Sequence, residues 1–200
     1  MQGLRERKRA ATRLAISNVA TRMFEQRGFE QVTVAEIAAA AEVSVKTVFN
    51  YFGSKEELFF DREEELLAGI LSTLRERGPR VSPTAAMRPL LLDRPLPLVD
   101  CDWSDLRTAL YEHVRAFVAC EQASPALSAR RLMIAQAWSG PLGREAGSAA
   151  WAAMFIAVLG LRHEVFGGAL LEQRSPATVE RRVRASVGDA LDALERAFPG

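Results

Sequence analysis

The chain has 200 residues, 48% of them hydrophobic and 26% charged, with nine prolines, a balance that suits a packed globular protein and excludes a disordered or collagen-like one. The net charge of +1 hides an asymmetry, because residues 1–55 carry nine Lys or Arg against five Asp or Glu while the remainder carries 17 against 20. A basic N-terminal segment on a mildly acidic body predicts a polyanionic partner for that segment alone.

The opening stretch, M-Q-G-L-R-E-R-K-R-A, is basic but has no apolar run or small-residue cleavage site, so no secretory signal is expected. The longest apolar run, Ala149 to Leu161, is short for a bilayer span, and no membrane segment is expected. Cys101 and Cys120 form no C-x-x-C pair, which fits reduced packing residues in a cytoplasmic protein.

Sustained apolar and polar alternation is missing, and so are hairpin turn signals, so the chain reads as all-α. The first helix is expected from Arg7 to Arg27, with Ile16, Val19, Ala20, Met23 and Phe24 inward. Gly28 should stop it in a Schellman motif, which would bring Phe24 against Phe29. Thr33 then has the position of an N-cap, with Glu36 completing a capping box and Val32 and Ile37 at the staple positions. That helix should reach Ala41. Ser44 caps the next, with Val43 and Val48 as its staple, and Gly53 breaks it after Phe52.

A long lever helix is predicted from Ser54 to Arg77, roughly 35 Å at ~1.5 Å per residue. Prolines thin the signal between residues 78 and 102, leaving one short helix over Thr84 to Leu92. Further helices are expected from Ser104 to Glu121 and from Pro125 to Gly140, followed by a Gly-rich loop over 140–147. A helix that is apolar on nearly all sides follows, to Glu172, and an amphipathic one runs from Thr178 to Phe198. About nine helices result, divided into an N-terminal domain over 1–53 and a larger helical domain over 54–200. The last two helices are expected to pair two copies of the chain into a homodimer.

Thr33 to Lys55 holds two short, separately capped helices joined through A-E-V-S, the spacing of a helix-turn-helix whose second helix lies in the major groove. Val48 and Phe52 should pack inward, leaving Val45, Lys46, Thr47, Asn50 and Tyr51 outward. Asn50 matches the donor and acceptor pair of an adenine edge, Lys46 reaches a guanine edge or a phosphate, and Val45 suits a thymine methyl. The hydroxyls of Thr33, Ser44, Thr47 and Tyr51 are phosphate ligands, and Lys55 stands where a helix start attracts an anion. Short capped helix pairs also occur in proteins that never touch DNA.

The run F-E-Q-R-G-F-E-Q-V-T-V-A-E-I-A-A-A-A-E-V-S-V-K-T-V-F-N-Y-F-G-S-K-E-E-L-F resembles the N-terminal signature of the TetR family of bacterial transcriptional regulators, and the likeness spans about residues 10–60. The resemblance implies a helix-turn-helix domain followed by a helical effector-binding and dimerisation domain. It implies a homodimer on a near-palindromic double-stranded DNA operator, held through Thr33, Lys46, Thr47, Asn50, Tyr51 and Lys55 and released by a small-molecule effector. Phe49 departs from the pattern, since the family often has tyrosine there. Arg5, Arg7, Lys8 and Arg9 resemble a basic tail that some members lay along DNA.

Candidate effector-lining residues are Trp103, His113, Phe117, Trp138, Trp151, Phe155 and Arg162, each of which also suits core or dimer interface. No enzyme, cofactor or metal site is expected. His163-Glu164 opens an H-E-x-x-H pattern, but Gly167 stands at the second histidine position, and no P-loop or G-x-S-x-G occurs. The alternatives are an activator, an effector-independent DNA-binding protein, and a helical ligand-binding module whose DNA-binding motif is vestigial.

Overall fold

In the computed structural model, which describes residues 3–96, 101–107 and 110–199, every regular element is a helix. α1 (Leu4–Arg27) buries Ile16, Ala20 and Phe24, while Val19 and Met23 stay half-buried. It begins at Leu4 rather than at Arg7, so Arg5, Arg7, Lys8 and Arg9 stand on a helix and not in a tail. Gly28 ends it at φ 81° and ψ 153°, a region open essentially to glycine alone but not the left-handed helical geometry of a Schellman stop. The aromatic contact forms all the same. The Phe24 and Phe29 ring centroids lie 5.2 Å apart, and Phe59 packs on both at 5.7 and 5.8 Å.

α2 (Val34–Ala40) starts at Thr33 with its capping box complete, and both staple residues, Val32 and Ile37, are buried. The Schellman geometry expected at Gly28 closes this helix instead. The Val43 N–H donates to the Ala38 carbonyl at 2.9 Å and the Glu42 N–H to the Ala39 carbonyl at 3.2 Å, with Glu42 at φ 54°. A side chain other than glycine is disfavoured there. Glu42→Gly is therefore expected to stabilise the chain by about 0.5 to 1 kcal/mol, the relieved strain outweighing the added freedom of the unfolded state. A thermal melt checks this, and an unchanged or lower midpoint would mean that the glutamate makes compensating contacts.

α3 (Val45–Tyr51) is capped by Ser44 and α4 (Lys55–Phe59) by Ser54. The lever expected over Ser54 to Arg77 is broken: α4 stops at Phe59 and α5 (Glu63–Glu76) begins after a turn. The cause is a tertiary claim on Asp61. Arg13 Nη2 donates to the Asp61 carbonyl at 2.5 Å, and the Ser17 hydroxyl donates to its carboxylate. That carbonyl would otherwise accept the i+4 N–H of a continuing helix.

The chain forms two compact units, one made of Met1–Arg62 with Ala119–Arg130 and the other of Glu63–Val118 with Arg131–Gly200. Ala119–Arg130 is tied into the first unit by the Ser124 hydroxyl, which donates to the Glu30 carboxylate at 2.5 Å, and by Arg130, 3.8 Å from the Glu57 carboxylate. Cys120 in this segment is buried, and its burial raises the thiol pKa.

The second unit takes in α5, α6 (Pro83–Leu92), α7 (Trp103–Leu106), most of α8 (Leu110–Gln122) and α9 (Pro125–Ala146), α10 (Ala149–Leu171) and α11 (Pro176–Ala197). The single helix expected from Ser104 to Glu121 is interrupted, α7 closing on Arg107 before α8 opens at Leu110. α9 runs straight through the loop expected at 140–147. Trp138 and Leu142, one turn apart, are both buried, and that burial outweighs the poor helix propensity of Gly140, Pro141 and Gly143. Only Gly147, at φ 79°, turns the chain. Among the described residues eleven helices form where about nine were expected.

α11 buries Val179, Val183, Val187, Leu191 and Leu194 along α10, which contributes Trp151, Phe155, Val158, Phe166 and Leu170. As a 23-residue helix, α10 is long and apolar enough to cross a membrane by length and composition, which the shorter run read from sequence did not convey. In this fold one of its faces supplies core, and that face carries Arg162.

Candidate nucleic-acid interface

α3 is held by its own buried side: Val48 is 1% and Phe52 3% exposed. Because the helix turns about 100° per residue, anchoring Val48 and Phe52 sends Lys46 and Asn50 directly away from the core, and both are exposed. Val45 and Phe49 are exposed on one flank, and Thr47 and Tyr51 are half-buried on the other. The outward group named from sequence is therefore brought together on one short helix, with Phe49 added to it.

The capping hydroxyls are partly committed. The Ser44 and Thr47 hydroxyls lie 2.8 Å apart, and Ser44 Oγ also accepts the Thr47 N–H at 3.0 Å. One hydroxyl proton of that pair remains for an outside acceptor. Thr33 Oγ accepts the Glu36 N–H at 3.2 Å and donates to the Glu36 carboxylate at 2.7 Å. The Thr33 hydroxyl and backbone N–H, followed by Arg27 at 2.8 Å, hold the Glu36 carboxyl down to about 2. Thr33 thus serves first as the cap of α2.

Lys55 is engaged inside the unit. Its ammonium donates to the Phe29 carbonyl at 3.0 Å and to the Val32 carbonyl at 3.1 Å, and lies 4.0 Å from the Phe29 ring centroid. Those bonds close the loop between α1 and α2, leaving one of the three ammonium protons for anything outside.

Arg9, named from the sequence only as part of a basic tail, and Arg13, unnamed there, join the site. The Arg9 guanidinium stands 5.9 Å from the centroid of the Tyr51 ring, and that of Arg13 stands 4.9 Å from the centroid of Phe52. The signal was present in the four-residue spacing of Arg5, Arg9 and Arg13, which places them along one side of a helix. They carry the basic end of α1 to the C-terminal end of α3.

Residues 16–61 match the model of the bacterial regulatory proteins of the tetR family. Over this segment the chain is similar to the TetR family. It is 36% identical over 85 residues to the HTH-type transcriptional regulator TcmR of Streptomyces glaucescens, a stretch covering 42% of this chain and 38% of that protein. It is 32% identical over 65 residues to the HTH-type transcriptional regulator HbdR of Aromatoleum sp. (strain CIB), covering 32% and 27% respectively. The matches thus span less than half of either relative. The fold is similar to that of a TetR transcriptional regulator from Rhodococcus sp. RHA1, with a TM-score of 0.54 at 18% identity over 96% of this chain and 99% of that one.

In the second unit the aromatic residues singled out as effector contacts are largely engaged with one another and with backbone. Trp151 and Phe155 stack with centroids 4.7 Å apart, and Trp151 Nε1 donates to the Thr84 hydroxyl at 2.9 Å. Trp103 Nε1 donates to the Leu92 carbonyl at 2.8 Å, and its ring meets Phe166 edge-on at 6.3 Å. Arg162 Nε donates to the Leu91 carbonyl at 2.9 Å, and its Nη2 to the Arg94 and Pro95 carbonyls, each at 2.8 Å. Burial lowers the guanidinium pKa to about 10.

Trp138 is buried and its indole N–H has no protein acceptor among the described residues. Phe117 is half-buried, and His113 is exposed. An open pocket of about 490 Å³ in the same unit is lined by other residues, among them Arg75, Arg77, Ser82 and Glu145.

Proposed function

We propose that the chain is a DNA-binding transcriptional regulator, a repressor that leaves a palindromic operator when a small molecule binds its helical C-terminal part. The observation that carries this reading is the exposed Lys46–Asn50 edge of α3, set on the buried pair Val48 and Phe52 within the family-matched segment. A helix so anchored presents its side chains at a fixed angle to a groove. Arg9 beside Tyr51 adds positive charge where phosphates flank such a helix. A homodimer through α10 and α11 would supply the second reading helix for a two-fold operator. The outer face of α10 supports that pairing, since Ala153, Met154, Ala157 and Gly160 are exposed and nearly without polar groups. The site of action is the cytoplasm, where bacterial DNA lies.

Selection of binding sites from random duplex DNA tests the reading. Asn50→Ala is then expected to cost roughly 5- to 150-fold on the selected sequence and little on random DNA. Equal losses on both would remove the base-reading role. For the effector, a 100-fold drop in operator affinity needs ~2.7 kcal/mol of coupling, within the usual allosteric range. Trp138 is the contact we favour, because an effector oxygen would satisfy its buried N–H. Titration of metabolites against operator binding separates a ligand-released repressor from an effector-independent binder.

A further inference from the structure

We infer that α3 reads the 5-methyl group of thymine through Phe49 with Val45, so that the preferred half-site places a thymine beside the base pairs addressed by Lys46 and Asn50. The inference rests on the DNA-binding reading above and names part of the sequence that this site takes.

Val45 is 41% and Phe49 49% exposed. A single exposed apolar residue is ordinary. Here there are two, one turn apart on the same side of the reading helix, where their side chains adjoin. The α3 surface is consequently asymmetric. Lys46 and Asn50 occupy its middle, the half-buried hydroxyl residues Thr47 and Tyr51 one flank, and the apolar ridge of Val45 and Phe49 the other.

α3 offers phosphates hydroxyl donors on one flank and none from its apolar ridge, since neither the Val45 nor the Phe49 side chain can donate a hydrogen bond. The occupant of the apolar ridge must itself be apolar and must lie next to groups that pair with a lysine and an amide. On the base edges of the major groove the thymine C5-methyl is the apolar group, and it sits beside the hydrogen-bonding atoms that Lys46 and Asn50 address. A second protein copy on this ridge would bury the neighbouring Lys46 charge and Asn50 amide unpaired, at a cost the apolar contact does not offset.

Removing one methyl from water is worth about 0.8 kcal/mol, that is, roughly fourfold in affinity. The test uses the full chain and the half-site enriched from random duplex DNA. Each thymine is replaced in turn by deoxyuracil, which removes the methyl and leaves the pairing edge intact. At one or more positions the parent protein is expected to lose roughly fourfold. Phe49→Ala should be indifferent to the same replacement, and Phe49→Leu, still apolar, should keep the discrimination. The exposed site makes folding of both variants the expected outcome, checked by their melting curves. The inference is overturned if no thymine is sensitive, or if Phe49→Ala discriminates as the parent does. Failure to enrich any sequence would overturn it together with the DNA-binding reading, a result distinct from enrichment without methyl sensitivity.

Discussion

Arg162→Met is expected to lower the free energy of unfolding by about 3 to 5 kcal/mol, because it strands three carbonyl acceptors in a buried site at ~1 to 3 kcal/mol each. Methionine keeps an apolar stem on α10, so the loss isolates the guanidinium. Arg162 lies only 5% exposed, and its bonds go to the Leu91, Arg94 and Pro95 carbonyls at the end of α6 and just beyond it. A helix C-terminus carries partial negative charge and unpaired carbonyls, and a fixed cation satisfies both. Urea unfolding of the two proteins measures the difference. A loss below ~1 kcal/mol, together with a large change in effector response, would give Arg162 to the ligand instead of to the fold. Arg162→Lys should recover part of the stability, since an ammonium can reach fewer of the three acceptors.

Lys55→Met is expected to cost about 2 kcal/mol of stability, the value of charge-assisted hydrogen bonds to two carbonyls plus a contact with an aromatic ring. The resemblance to the family implies a phosphate contact at this position, and the two roles make different predictions. If Lys55 chiefly closes the loop at Phe29 and Val32, the variant melts earlier, while the salt dependence of DNA binding by the folded protein is nearly unchanged. Lys46→Ala gives the reverse pattern, an unchanged melt and a salt slope reduced by about one unit. A Lys55→Met protein that melts like the parent with a flattened salt slope would restore the phosphate role.

These two residues mark where sequence reasoning stops. The caps at Thr33, with Glu36, and at Ser44 were legible because each hydroxyl and the N–H it accepts lie three residues apart, within one helical turn. The division of α3 into a buried edge at Val48 and Phe52 and an outward edge at Lys46 and Asn50 followed from helical periodicity alone. Lys55 bonds instead to residues 26 and 23 positions earlier, and Arg162 to residues 67 to 71 positions earlier. No local pattern announces such partners. The same holds for the break in the lever helix. The stripe of Leu58, Phe59, Leu66 and Leu67 favours continuity, and it is Arg13 and Ser17, 48 and 44 residues away, that draw Asp61 out of the ladder.

The C-terminal aromatics were identifiable as important without being readable as to role. Composition cannot say whether Trp103, Trp151 and Phe155 surround a space or fill it, and here their indoles and rings engage one another, Thr84, Leu92 and Phe166. Gly140, Pro141 and Gly143 were misleading in the opposite sense. They weaken a helix locally, and burial of Trp138 and Leu142 carries α9 through them.

By itself the sequence determined the helical class, the capped helix-turn-helix and the two edges of α3, since these depend on hydrogen bonds and side-chain spacing within one or two turns. Tertiary structure alone decided that Lys55 ties a loop, that Arg162 caps α6 and that the lever breaks at Asp61. Each of those outcomes depends on which distant carbonyl or carboxylate is brought within reach of a buried or half-buried cation or hydroxyl, and that is settled only when the helices pack.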